Sequence, residues 1–313
     1  FSISISGFKK LNGSQLGKEN ITYLLNSLKS KISETEEKKT ILHILNSKYI
    51  LDNKEIKNLP IGLFGDFYSH ELTFFLIEKN DYNNLKNVFE KCNLRIHKII
   101  SKNFLEGVNI INQNINIENF FKIEINENNI ELFFFENSAL KYIQNFEFGN
   151  NLIFKDISKI IGLNIETVKN ILINSNFSEG DMEKEIIEKK FFKDKSFRKI
   201  KKKLIYDIAK ARIQEIAEIV MFQNINISSL IKKKPVIFLT IKDFSNLKCF
   251  KEIFKETFSN NNKLEFTFLD NFALTEFYDS ASKLVQYGWK KEAVPVIQKK
   301  KSIITRFFES IFG

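Results

Sequence analysis

Apolar runs too brief to be buried helices alternate along this chain with longer stretches of helical spacing. That alternation confines the chain to a fold mixing sheet and helix. Phe1-Ser-Ile-Ser-Ile-Ser6 has period two and stops at Gly7, the pattern of a strand. From Gly17 to Lys39 the residues are polar except for Ile21, Leu24, Leu25, Leu28 and Ile32, which line one face of a helix. Ile41–Leu45 and Ser47–Leu51 read as two short strands, followed by the turn chemistry of Asp52-Asn53-Lys54. Leu59–Gly65 is a loop set by Pro60 and two glycines, and Glu71–Ile77 is a further strand.

The texture then shifts to helix at Tyr82–Cys92, strand at Leu94–Ile100 and helix at Asn103–Asn112. Phe120–Ile125 and Ile130–Phe135 flank Asn126-Glu-Asn-Asn129 as a β-hairpin, and helices at Asp156–Ile161 and Ile165–Ile173 are separated by Gly162. Residues 181–203 are crowded with Lys and Glu and predict a solvated helix. A long helix is expected from Phe197 to Phe222, with Ile200, Leu204, Ile208, Ile216 and Ile219 as its apolar stripe. Val236–Ile241 is a buried strand, Leu247–Phe258 a helix, Leu264–Leu269 a strand and Leu274–Tyr287 the last core helix; Glu292–Gln298 reads as a linker.

The final residues carry a different signal. On a helical wheel of about 100° per residue, Ile303, Ile304, Phe307, Phe308, Ile311 and Phe312 fill one half, while Ser302, Thr305, Arg306, Glu309 and Ser310 fill the other. Lys299, Lys300 and Lys301 stand just before them. An apolar face, a polar face and an adjoining basic cluster suit a helix lying in an anionic membrane surface. The alternative is a terminal helix docked on its own core, which has no need of three lysines.

Composition narrows the function classes. A chain of 313 residues suggests about two domains. The net charge of +10 would fit nucleic acid, but heavy use of Lys, Asn, Ile and Phe runs through the whole chain, and the aromatics are Phe inside apolar runs. They read as core, not as base-stacking platforms. Cys92 and Cys249 form no disulfide framework, which fits a reducing cytoplasm, and His43, His70 and His97 lie apart with no metal-ligand spacing. No run of eighteen or more apolar residues is present to span a bilayer. The first residue is Phe, without a secretory signal, so the chain reads as a fragment or a processed product.

Several stretches carry a family resemblance. Thr40-Ile-Leu-His-Ile-Leu-Asn46, Tyr49-Ile-Leu-Asp52 and Leu59-Pro-Ile-Gly-Leu-Phe-Gly65, entered through Ile5-Ser-Gly7, are similar to a run in the FtsA family of bacterial cell-division proteins, members of the actin superfamily. Glu276-Phe-Tyr-Asp-Ser-Ala-Ser-Lys-Leu-Val-Gln-Tyr-Gly288 resembles the closing helix of that family, and the amphipathic tail sits where the family has its membrane-targeting helix. The resemblance covers nearly the whole chain and rests on the order of the pieces.

It implies an α/β, actin-like two-lobed fold with an inserted α+β subdomain of the 1C type and a C-terminal amphipathic helix. Residues 1–6 and 80–118 would be a remnant of subdomain 1A, and 7–79 the inserted 1C. Residues 119–177 and 236–288 would form subdomain 2A and the closing 1A helix, 178–235 subdomain 2B, 289–298 a linker and 299–313 the membrane helix. The implied function is a divisome adaptor that binds the FtsZ C-terminal tail, with Arg198, Lys202 and Arg212 as contacts, and tethers FtsZ filaments to the cytoplasmic face of the inner membrane. Self-association and contacts with other division proteins through 1C would accompany it. The family's cofactor is ATP with Mg. Its second phosphate loop, Asp-x-Gly-Gly-Gly-Thr, falls at Glu124-Ile-Asn126-Glu127-Asn-Asn129, and its Thr-Gly-Gly adenosine motif at Thr240-Ile-Lys242. The glycines that let backbone N–H groups approach phosphate are gone from both, and the first phosphate loop would precede residue 1. The chain therefore reads as no enzyme. An ATP-hydrolysing machine and a PilM-like pilus-assembly adaptor are the alternatives.

Overall fold

The computed structural model describes residues 1–175, 177, 183–192, 197–242, 244–261, 263–270 and 273–293. The C-terminal helix expected at 299–313, with Lys299, Lys300, Lys301, Ile303, Ile304, Arg306, Phe307, Phe308, Ile311 and Phe312, lies outside the described residues. The described residues form two compact units, one of residues 1–101 with 282–293 and one within residues 102–281.

The first unit is built on a four-stranded antiparallel sheet of order β1-β4-β2-β3, comprising β1 (Ser2–Lys10), β2 (Lys39–Leu51), β3 (Lys54–Ile56) and β4 (Phe67–Glu78). Helix α1 (Lys18–Thr35) lies across one face and buries Leu24, Leu25, Leu28 and Ile32, four of the five residues that its spacing singles out. Leu25, Leu28 and Ile32 pack with Ile44, Leu72, Phe74 and Leu76, whereas Leu24 joins a neighbouring cluster with Tyr49, Leu51 and Tyr68. The crossing is close: a Cβ on Gly7 would stand 3.1 Å from Leu28 Cδ1. Helix α2 (Lys79–Lys91) follows β4. The two strands expected at Ile41–Leu45 and Ser47–Leu51 are one strand, β2, whose register against β4 shifts between Ile41 and His43 and between Asn46 and Lys48. Ser47 is buried there, its hydroxyl 2.6 Å from that of Thr73, so polar residues that look like a break are satisfied within the sheet. The strand expected at Leu94–Ile100 is absent: these residues have no ladder partner, and Lys98 is tied instead by its side chain to Glu292.

The second unit opens with α3 (Lys102–Gln113) and holds a five-stranded mixed sheet of order β7-β6-β5-β8-β9. Its elements are β5 (Phe120–Ile125), β6 (Ile130–Glu136), β7 (Ala139–Phe146), α4 (Asn151–Ile161), α5 (Ile165–Asn174), α6 (Lys202–Ala217), α7 (Ser228–Ile231), β8 (Val236–Ile241), α8 (Lys251–Phe258) and β9 (Phe266–Phe268). Helix α9 (Leu274–Tyr287) spans the expected range. The hairpin of β5 and β6 is antiparallel, whereas β8 pairs parallel to β5. Alternate residues of β5, β6 and β8 enter the larger core, among them Phe121, Ile123, Leu132, Phe134, Ile237 and Leu239. The intervening residues face the other way, where Phe120 and Phe135 stack at 4.6 Å. Phe135 fixes α3 as well, since a Cβ on Gly107 would lie 1.8 Å from its ring.

Two expectations for this unit need correction. The charged stretch of 181–203 is not a helix across its described residues. Lys202 pairs with Glu185 and Lys203 with Glu183, and an isolated bridge joins Ile186 to Lys201, so the segment folds back on itself. The long helix accordingly starts at Lys202, and after Ala217 it widens into a π turn at Glu218–Phe222. Its buried stripe is Ile205, Ala209, Ile213, Ile216 and Val220, while Leu204 is 44 % and Ile219 40 % exposed.

Candidate functional site

The second unit brings the four candidate nucleotide positions together. Glu124 and Thr240 are register partners on the parallel strands β5 and β8, and Asn126 and Lys242 follow the carboxyl ends of those strands. That end of parallel strands is where open α/β sheets bind ligands. Here the space is closed by the chain itself. The Asn126 amide donates to the Asn129 carbonyl at 2.9 Å, turning the hairpin tightly. The carbonyls of Asn126 and Glu127 accept from the amides of Asn150 and Asn151 at 2.9 and 3.0 Å, at the start of α4. Gly149 permits this approach, because a Cβ there would stand 2.1 Å from the Asn126 carbonyl oxygen. Those amides are the donors with which a helix start would hold an anion. Glu127 carries its charge into the same loop, paired with Lys169 at 3.1 Å. Lys242 is exposed; its amide donates to Ile125, and its carbonyl accepts from the Asn150 side chain at 3.1 Å.

Beneath the loop lies an ion network that the sequence reading missed. Lys122 on β5 is only 1 % exposed. Its ammonium contacts Glu106 of α3, lies 3.1 Å from Glu124 and sits 5.1 Å above the Phe133 ring. Lys102 adds contacts of 3.2 Å to Glu124 and 3.6 Å to Glu106. Burial by itself would raise the Glu124 carboxyl, but the charges and hydrogen bonds of Lys122 and Lys102 outweigh it and hold the group below its ordinary value. Burial opposes the Lys102 ammonium, and Glu106 with Glu124 more than restores it, so that group is raised. Each ammonium lies against carboxylates and each carboxylate against an ammonium, an arrangement that joins α3 to β5. The signal was legible: Lys122 and Glu124 occupy alternate positions in an otherwise apolar strand, and a lysine there must be paired.

Arg198, Lys202 and Arg212 are engaged within the chain. Arg198 donates to the Ile161 carbonyl at 2.8 Å, capping α4 beside Gly162, whose φ is +67°. Arg212 holds Asp156 of α4 and reaches Glu215 at 2.7 Å. Lys202 is paired with Glu185. Two of the three thus converge on α4. Among the described residues, no helix is long and apolar enough to cross a membrane and no cluster of side chains is suited to a metal ion.

In the first unit, a cavity of about 270 Å³ is lined by Lys18, Ile21, Thr22, Leu25 and Asn46, with Leu59, Ile61, Glu292 and Ala293 closing it. Behind it Glu292 accepts from His43 Nδ1 at 3.2 Å and from Lys98 at 2.8 Å. The Ser101 amide donates to His43 Nε2 at 3.2 Å, which leaves the ring proton on Nδ1.

No family model matches the chain. It is 23 % identical to the cell division protein FtsA of Neisseria meningitidis over 222 residues, covering 70 % of this chain and 53 % of that protein. It is 18 % identical to FtsA of Escherichia coli K12 over 295 residues, covering 90 % of this chain and 70 % of the relative. The chain thus spans about half the length of the Neisseria protein. Similar solved structures include the PilM–PilN type IV pilus biogenesis complex, with 8 % identity, a TM-score of 0.45 and coverage of 90 % of this chain and 73 % of that one. Another is MreB5 of Spiroplasma citri bound to ADP, with 14 % identity, a TM-score of 0.44 and coverage of 67 % and 66 %. The chain is a mixed α/β protein. Its sequence is similar to the cell division protein FtsA at 18–23 % identity.

Proposed function

We propose that the chain acts in cell division as an adaptor without ATPase activity, one that binds the FtsZ C-terminal tail and holds FtsZ at the cytoplasmic face of the inner membrane. The similarity to FtsA across 90 % of the chain carries this reading. Subdomain 2B, residues 178–235, would take the FtsZ tail along α6, where Arg198, Lys202 and Arg212 would exchange their internal partners for the peptide. Residues 7–79 would serve subunit contacts and other division proteins as subdomain 1C. Residues 299–313 would be the tether: Ile303, Ile304, Phe307, Phe308, Ile311 and Phe312 enter the lipid, while Lys299, Lys300, Lys301 and Arg306 meet anionic headgroups. One such helix is a modest anchor, and self-association would multiply it.

ATP fits the residues poorly. Carbonyls of Asn126 and Glu127 occupy the amides at the start of α4, and Glu124 and Glu127 would set carboxylates against phosphate. Co-sedimentation with anionic liposomes, with and without an FtsZ tail peptide, tests the adaptor on the whole chain and on a version ending at Gln298. Pelleting of the whole chain with the peptide, and of neither without residues 299–313, is the expected result. A chain that stays in solution whatever its tail would overturn the tether.

A further inference from the structure

Strand β1 is an edge of the first unit's sheet, paired with β4 along its whole length and with no other strand among the described residues. The phase of that pairing decides what its free side offers. Phe1 and Leu76 exchange both backbone bonds, at 3.0 and 3.4 Å, and the register then steps residue by residue to Lys10 opposite Phe67 without a bulge. Bonded and non-bonded pairs alternate in an antiparallel ladder. Ile3, Ile5, Gly7 and Lys9 are therefore bonded inward to β4, and Ser2, Ser4, Ser6 and Phe8 turn their N–H and C=O groups outward. Protein edges are ordinarily guarded by proline, bulges or charge, and from Ser2 to Phe8 this one has none of them.

We propose that β1 pairs antiparallel with β1 of a second copy of this chain, about a two-fold axis at Ile5, joining two four-stranded sheets into one. The strand is complementary to itself in that arrangement. Ser4 meets Ser6 of the second copy and Ser2 meets its Phe8 as bonded pairs. On the α1 face Ile5 meets Ile5, and Ile3 meets Gly7, over which Leu24 and Leu28 of α1 already pack. Lys9 and Lys10 fall at opposite ends, whereas a parallel pairing would set them against their own copies. Phe8, 80 % exposed, comes to lie on the second copy's serine face. An interface of one strand pair falls below about 1,200 Å², at the weak end of specific association, so it forms at micromolar concentration and strengthens where copies share a surface. This pairing gives a site to the self-association in the proposed function, yet it does not depend on FtsZ or lipid.

The test is sedimentation equilibrium of the full chain beside Ser6→Pro, with disulfide trapping of Ile5→Cys and Ser2→Cys in a Cys92→Ser background. Proline removes an outward N–H and leaves the β4 ladder intact. The expected result is a reversible dimer whose dissociation constant rises at least about tenfold in Ser6→Pro. Ile5→Cys should cross-link to itself, because non-bonded partners stand about 4.5 Å apart at Cα, while Ser2→Cys should not. A monomer throughout the micromolar range, or a dimer that traps Ser2→Cys as readily as Ile5→Cys, overturns the proposal. Should Ser6→Pro fail to fold, the cysteine pair decides alone. Dimerisation without pelleting on liposomes keeps this pairing and removes the tether, and the reverse result does the opposite.

Discussion

Acidification should weaken the first unit through one side chain, His70. It is 1 % exposed on β4, between the rings of Tyr49 and Tyr68 at 5.0 and 5.9 Å. Its Nε2–H donates to Asn46 Oδ1 at 2.9 Å, which leaves Nδ1 as a buried acceptor without a hydrogen-bond partner. A second proton would have to sit on that nitrogen, and burial depresses the folded pKa from 6.5 to about 4. The unfolded chain therefore binds a proton below pH 6.5 that the folded chain refuses until about pH 4, so stability is full above the upper value and falls as the pH drops between them. At about 1.36 kcal/mol per pH unit the loss reaches about 2 kcal/mol at pH 5 and about 3 kcal/mol at pH 4. Urea unfolding of the wild type and His70→Gln, followed by the single tryptophan, Trp289 of the same unit, measures it. Glutamine keeps a donor for Asn46 and does not titrate. Carboxylates protonate in both proteins and cancel in the difference. The stability gap between wild type and variant should shift by about 3 kcal/mol in favour of the variant from pH 7 to pH 4. A gap constant within about 0.5 kcal/mol across that range would refute the reasoning, since it would mean that the ring accepts its proton as readily folded as unfolded.

Other perturbations follow from the same contacts. Lys122→Met strands Glu106 and Glu124 beside a single remaining cation and should cost about 3–5 kcal/mol, read by thermal or urea unfolding; a loss under about 1 kcal/mol would show the network to be hydrated. Gly107→Ala drives a methyl into the Phe135 ring and should cost about 1–3 kcal/mol, with part restored by Phe135→Leu in the same chain; equal losses in single and double variants would exonerate the ring. Phe307→Glu with Phe308→Glu should release the whole chain from anionic liposomes, and unchanged pelleting would place the lipid contact elsewhere.

Where the sequence was a good guide, one element carried its own signal. Helix α9 spans the range that its spacing predicts, and α1 forms where its stripe lies but stops at Thr35, short of the expected Lys39, which opens β2. The hairpin of β5 and β6 is fixed by four consecutive polar residues between two apolar runs. Errors arose where a distant partner changed the meaning of a residue. Polar Asn46 and Ser47 look like a gap between strands until His70 and Thr73 are seen to satisfy them across the sheet. The lysines and glutamates of 181–203 suggest helical pairing at short spacing, but Lys202 and Lys203 choose Glu185 and Glu183, far enough back to fold the segment over. Strand β7 went unseen because its outer half is only partly buried and carries Gln144 and Asn145 among its apolar residues.

The candidate site divides along the same line. That Glu124, Asn126, Thr240 and Lys242 share one end of the sheet follows from two runs that each read as a strand, once these are known to be parallel. The ion network beside that end did not follow, because it depends on Glu106, a residue that looks like ordinary helix decoration between Leu105 and Gly107. Gly107 lets α3 settle on Phe135, and with the helix that close Glu106 meets the Lys122 ammonium. A buried ammonium with two carboxylates is stable only while the helix stays against the strand. The network and the packing of α3 are therefore one cooperative unit: Gly107→Ala should loosen the Lys122 ion pairs as well as the ring contact, and its cost should add less than fully to that of Lys122→Met.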